Sequence, residues 1–463
     1  MRDTLFGDVG PALGLVGAGV LLLLLVACAN VANLLLARAA ARRYELTVRA
    51  AVGASVGRII ALLLAEALVL GALGGCGGIA LAVFATHAFV AARPQGIPRL
   101  GDIHIDATSF AFTACIVVFV TLLAGLAPAL SVARGNLIAA LNTHGRSGTE
   151  RGGDAVRNAF VIFQTGFALV LAVASGLVLQ SYFRLSHANP GFHANGVAVA
   201  AARLASGDFV GRPAADPTIL AEVAHLRTVV ATLPGIRSAS VSRIVPFSHR
   251  QSSADFTISG QKNSAETDAD FNIVSPGYFT TFEIPLLGGR FFDVGDSATA
   301  RRVAIVSSSF ARRYLDSKAI GRTILVGMND PSFLRRTIVG VVGDVRSESL
   351  AAPPQPLMYF PLTQIPFDPD LWLALKSPLP PSRLGAAVDP IWSSLDPSLP
   401  PLAFDSMNSY VASETACSRL LAVLLSSISA LALLLAAAGI YSIVSYGVER
   451  RTHDIGIRMA LVC

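Results

Sequence analysis

Uninterrupted apolar runs dominate the pattern of this chain. Five stretches are long enough to cross a bilayer, at about 13–37, 59–83, 110–132, 158–182 and 420–446, since a spanning helix needs about 20 mostly apolar residues. The first, LGLVGAGVLLLLLVACANVANLLLA, contains no charge. The second holds one acid, Glu66, and the segment GALGGCGG, in which Gly71/Gly75 and Gly74/Gly78 have the four-residue spacing that lets helices approach closely. Between the fourth and fifth runs the pattern changes. PTILAEVAHLRTVVATL (217–233) and PSRLGAAVDPIWSSL (381–395) have helical spacing, whereas VAVAAARL, IRSASVSRIV, RRVAIVS, RRTIVGVVGDVR and LWLALKS predict strands. A strand-rich insert is expected at about 285–355. The fold class is therefore an α-helical transmembrane bundle of five spans plus one α+β domain.

Composition agrees. Of 463 residues, 53% are hydrophobic and 14% charged, against roughly 25% charged in an ordinary soluble chain. This excludes a disordered protein and argues for a membrane protein. The net charge of +6 is mostly arginine, and its placement sets an expected topology. The 38–58 loop carries Arg38, Arg42, Arg43, Arg49 and Arg58 against Glu45; the 134–157 linker carries Arg134, Arg146, Arg151 and Arg157 against Glu150 and Asp154; the tail carries Arg450, Arg451 and Arg458. By the positive-inside rule all three are cytoplasmic, which five spans satisfy with an outside start and an inside end. Residues 1–133 then form a three-span module, 134–157 a cytoplasmic linker, 158–183 a fourth span, 184–416 one large outward-facing domain, and 417–463 a last span with a basic segment. Nucleic acid is not an expected partner; membrane lipid is. Cys28, Cys76 and Cys115 lie in apolar runs and no cysteine falls within 184–416, so no disulfide framework is expected. Leu25-Val26-Ala27-Cys28 resembles a lipoprotein cleavage box, but Asp3 and Asp8 spoil the preceding basic region, and a plain helix is the preferred reading.

An internal repeat singles out candidate functional residues. At an offset of 409, Arg42 matches Arg451, Glu45 matches Asp454, Leu46 matches Ile455, Val48 matches Ile457 and Arg49 matches Arg458. The repeating unit is a span followed by a basic segment. In each copy an acid precedes an arginine by four residues, the spacing of an ion pair on one helix face, with aliphatic residues between. This predicts a short amphipathic helix at the inner membrane face. Its bland reading is a solvated stop-transfer cluster; its functional reading is a docking helix for a cytoplasmic partner. The second copy stops where the first continues into two further spans, which leads us to expect a truncated product.

Catalytic chemistry is not evident. The histidines are scattered, with neither HExxH nor a Cys/His cluster. Ser307, Ser308 and Ser309 lack a surrounding GxSxG and are expected to open the helix SSFARRYL. Asp344 is expected to be a strand-end turn residue. None of the three lysines, Lys262, Lys318 and Lys376, stands in a P-loop. Catalytic, cofactor and metal sites are thus expected to be absent. Within the spans, Asn30 and Asn33 are expected to hydrogen-bond a neighbouring helix, and Glu66 to form a neutralised pair near the arginine-rich face.

Several blocks together resemble the MacB/FtsX-type permeases of ABC transporters, in particular the duplicated orphan permeases. They are ACANVANLLLAR (27–38), RRYELTVRAAVGA (42–54), SPGYFTTFEIPLLGGRFF (275–292), FARRYLDSKAIGR (310–322), IVGVVGDVR (338–346), PLMYFPLTQ (356–364) and AAAGIYSIVSYGVERRTHDIGIRMAL (436–461). The resemblance implies an FtsX-like module, a MacB-like periplasmic core domain and the first span of a second FtsX-like module. It further implies an inner-membrane permease subunit for export or mechanotransmission, moved by a separate cytoplasmic ABC ATPase dimer, so that ATP acts through the partner. The chain itself binds no cofactor on this reading. A periplasmic adaptor, and a remaining permease unit or a second copy of the chain, are further implied partners. Arg42, Arg43, Glu45, Arg49, Arg451, Asp454 and Arg458 would form the ATPase-coupling segments. The alternatives are a scaffold that regulates a periplasmic envelope hydrolase, and an inactive fragment.

Overall fold

The computed structural model describes residues 9–42, 45, 48, 49, 52–92, 106–134, 151–203, 217–259, 267–327, 335–365, 370–395, 397 and 399–462. The chain forms two compact units, Met1–Phe183 with Cys417–Cys463, and Arg184–Ala416.

The helical unit contains α1 (Val9–Ala41), α2 (Val56–Ala92), α3 (Ala107–Arg134), α4 (Arg151–Ser186) and most of the last helix of the chain, Met407–Val462. Among the described residues, five stretches are long and apolar enough to cross a membrane: Leu13–Leu35, Gly57–Ala88, Ala107–Gly125, Asn158–Ser186 and Met407–Ser442. The α4 helix begins at Arg151, inside the stretch expected to be linker. The last helix begins at Met407, well ahead of the apolar run at 420, because its first turns belong to the other unit.

Small residues set the helix contacts. On α2, Gly71 faces Thr121 and Gly75 faces Val117 of α3, where a Cβ on Gly75 would stand 3.2 Å from Val117. Gly125 of α3 faces Leu64 and Ala67 in return. Gly74 and Gly78 share the same spacing but meet nothing within 4 Å. A second cluster joins Ala168 and Leu171 of α4, Ala432 and Ala436 of the last helix, and Leu22 and Leu23 of α1. Large side chains such as Leu81, Phe84, Phe119 and Leu434 point outward, as lipid-facing positions do.

Among the described residues, the other unit is built on eleven strands: β1 (Val197–Arg203), β2 (Ser238–Ser242), β3 (Ser253–Ile258), β4 (Thr267–Val274), β5 (Leu286–Gly289), β6 (Val303–Ser307), β7 (Thr323–Gly327), β8 (Arg336–Val342), β9 (Leu357–Pro361), β10 (Asp370–Lys376) and β11 (Phe404–Ser406). Its helices are α5 (Pro217–Ala231), α6 (Tyr278–Thr281), α7 (Ser308–Tyr314), α8 (Pro381–Leu395) and the start of α9 (Met407–Val462). The strand order is β11-β1-β10-β2-β4-β3-β7-β8-β6-β9, and β4 also pairs with β9 in parallel, from Asp270↔Leu357 to Val274↔Pro361. That second pairing closes β4, β3, β7, β8, β6 and β9 into a ring. Phe256, Phe271, Val306, Ile324, Val326, Met358 and Phe360 are buried in one cluster with the faces of α5 and α8, where Trp392 is fully enclosed and donates its indole N–H to Pro400 O at 2.9 Å. Arg336 is buried over the Phe360 ring at 4.6 Å and donates to the carbonyls of Val303 and Gln364. Burial pulls its guanidinium down to about 10.

The insert expected at 285–355 is not separate: β5 to β8 belong to the one sheet through β3–β7 and β6–β9. The serine run does open a helix. Ser307 is the N-cap of α7, its Oγ accepting from Phe310 N at 3.2 Å and from Leu357 N at 3.0 Å. Asp344 lies past the end of β8 and accepts from Ser309 N and from Arg312 at 2.8 Å.

Candidate functional site: the charged corner between the first two spans

The α1 helix continues apolar as far as Ala37 and ends at Ala41, where the sequence turns to arginine. Arg42 then sits between two acids. Its Nε and one terminal nitrogen donate to Glu45 at 2.9 and 3.1 Å, and its other terminal nitrogen donates to Glu66 Oε1 of α2 at 2.8 Å. Glu45 in turn meets Arg49 at 2.7 Å. The order Glu66–Arg42–Glu45–Arg49 alternates in sign, with Arg42 shared by two carboxylates and Glu45 by two guanidinium groups. All four side chains are between 36% and 47% exposed, so the chain of charges is open to a partner. Hydrogen bonds to Glu45 and Glu66 push the Arg42 guanidinium above its ordinary value, and the bond from Arg42 holds the Glu45 carboxyl below its own.

The segment closes on a glycine. Gly53 has φ +102°, and Ala54 N donates to Arg49 O at 3.0 Å, the six-to-one bond that ends a helix with a left-handed glycine. Within the segment Val48 and Val52 are 42% and 84% exposed. Val48, one of the two aliphatic positions expected between the charges, presents apolar surface, as does Val52; the other, Leu46, lies outside the described residues.

Of the residues singled out in the sequence, Arg42, Glu45 and Arg49 are brought together, and Glu66 has the neutralising partner expected of it. Arg43 lies outside the described residues. Arg451, Asp454 and Arg458 fall within α9, which runs unbroken to Val462, and their side chains lie outside what is described. The two copies therefore differ in backbone: the first breaks after Ala41, whereas the second continues as one helix. Among the described residues no group of three or more His, Cys, Asp or Glu is arranged to hold a metal.

Two buried polar positions complete the unit. Asn33 is 1% exposed and among the described residues neither of its amide atoms has a partner, so the interhelical bond expected of it is not made there. Gln164 of α4, absent from the sequence reading, donates to Leu435 O of α9 at 2.6 Å. A lone glutamine in an apolar span was the available signal.

Comparison with known families now bears on this corner. Residues 17–137, which contain it, match the FtsX-like permease C-terminal family, and residues 166–391 match the MacB-like periplasmic core domain. The chain is a MacB/FtsX-type permease. A probable export ATP-binding/permease protein MacB from Pseudomonas entomophila (strain L48) is 26% identical over 205 residues, covering 42% of this permease and 30% of that protein. This permease thus spans under a third of that curated relative's length. Solved structures with likeness to it include the periplasmic region of MacB from Actinobacillus actinomycetemcomitans, at 12% identity and TM-score 0.32, covering 47% of this chain and 92% of that one. Another is a domain of a permease protein from Porphyromonas gingivalis, at 14% identity and TM-score 0.31, covering 46% of this chain and 92% of that one. Five apolar helices and a domain of periplasmic type fit a multi-pass protein of the inner membrane.

Proposed function

We propose that this permease is the membrane subunit of an ABC-type export or mechanotransmission system, with the residue 42–54 segment as the docking element for a separate cytoplasmic ATPase dimer. The observation that carries the reading is the charged corner itself. An exposed helical turn bearing Glu45 and Arg49 with exposed Val48 and Val52 is capped by Gly53 and tied to α2 through Arg42 and Glu66. A mixed surface of paired charge and aliphatic residues suits a transient partner. Arg43, and Arg451, Asp454 and Arg458 of the second copy, would extend the contact. The arginine bias favours this face being cytoplasmic, with residues 184–416 periplasmic. ATP would then be hydrolysed by the partner, and the permease would carry the motion to the periplasmic unit.

Co-expression of the tagged full chain with the ABC ATPases of its own cell tests this. An ATPase should co-purify with the wild type, and E45K combined with D454K should lower the yield. Undiminished capture by that variant would sink the docking role.

A further inference from the structure

The geometry points to Glu66 as the positioning residue of the docking segment, an inference that rests on the docking role proposed above. The charges within the segment cannot themselves fix its direction. Glu45 contacts Arg42 three residues before it and Arg49 four residues after it, and such pairs support a helical turn locally. They leave that turn free to swing about its two ends. Among the described residues, the contact from Arg42 to Glu66, 24 residues away, is the one that ties the beginning of the segment to the side of another helix.

The place of Glu66 on α2 suits this. It lies ten residues after Val56, about 15 Å along the helix axis, so the segment is held by a point well inside the second span rather than at its mouth. The neighbouring stretch of α2 is itself seated on α3 through Leu64 and Ala67 against Gly125. A displacement of the segment is therefore delivered to the α2–α3 pair as well as to α1. Without Glu66, the attachment to α2 that remains among the described residues is the turn at residues 52–55.

Hydrogen–deuterium exchange on the full chain in lipid nanodiscs tests the assignment. E66Q keeps the shape of the side chain and removes its charge. Amides of residues 45–54 should exchange about two- to fivefold faster, the range expected when one partly exposed ion pair is lost, while amides of α2 between residues 60 and 80 keep their protection. E66D, which retains the charge, should stay close to the wild type. R42Q removes the contact from the other side and should reproduce the E66Q signature. Unchanged exchange at 45–54 in both E66Q and R42Q overturns the assignment, as does a rise that spreads through α2 in both. This readout needs no ATPase, so a failed docking role would appear in the capture experiment and a failed positioning role here.

Discussion

Gln164 and Gly439 share one volume in the helical unit: a Cβ on Gly439 would stand 2.7 Å from Gln164 Nε2. The same nitrogen donates to Leu435 O at 2.6 Å, the carbonyl four residues before Gly439 that an α-helix offers to its N–H. Gly439→Ala should therefore push the glutamine amide off its acceptor and leave it buried without a bond, at a cost of about 1–3 kcal/mol. Thermal unfolding in detergent would register the loss. Adding Gln164→Ala removes the obstruction and should make the double variant more stable than the sum of the single changes.

Asn33 offers the opposite case. Both of its amide atoms are buried without partners among the described residues, so Asn33→Leu removes a desolvated polar group and should stabilise the unit by about 1 kcal/mol. The same unfolding assay applies, and a clear loss of stability would contradict the expectation.

Gly191 has φ +85°, and a Cβ there would collide with the backbone oxygen of Asp344. The obstacle is main chain and cannot rotate away. Gly191→Ala should cost about 2–4 kcal/mol, with the loop bearing Asp344 displaced from the α7 amide it caps. Limited proteolysis near residues 343–350 should become faster in this variant.

Acid should act through Asp296. Arg290 grips this carboxylate with two bonds of 2.8 Å, and the Asp293 amide adds a third at 3.1 Å. The bond from Arg290 holds its titration below the usual carboxylate value of 3.8. A lowered folded value means that the stabilisation is fully present above 3.8 and is lost as pH falls through the lower folded value. Asp296→Asn should be less stable than the wild type at pH 7, and the difference should shrink as pH drops below about 4. Unfolding midpoints of the two chains between pH 2 and 7 would measure it.

The spans were legible in the sequence because a run without charges over 20 residues has few alternatives in water. The Arg42–Glu45–Arg49 ladder was legible because its spacing is that of one helix face. Which residue neutralised Glu66 was not, since that depends on how α1 approaches α2 and not on local spacing. The glycine pairs make the same point. Gly71/Gly75 and Gly74/Gly78 are equivalent as sequence, yet only the first pair faces α3. Among the strands, β4 did carry an alternating signal, with Asp268, Asp270 and Asn272 between Ala269, Phe271 and Ile273. Its polar half obscured it. β9, LMYFP, is buried at every position, so it has no alternation to detect. The ring closed by β4 and β9 rests on a parallel pairing between distant segments, which no local pattern encodes.

The sheet order also dictates when this unit can be finished during synthesis. β1 is the first strand made, yet its two neighbours are β10 and β11, with Val199 opposite both Ala374 and Asp405. Until the ribosome has passed residue 376 both edges of β1 are unpaired, until it has passed residue 406 one edge remains so, and its Val197, Val199 and Ala200 side chains lack the full cover they have in the finished fold. An exposed apolar strand with free edges invites pairing with other chains. The nascent permease thus has a window of vulnerability that closes only with its last strand, and a ribosome stalled between residues 203 and 370 would release its most aggregation-prone form.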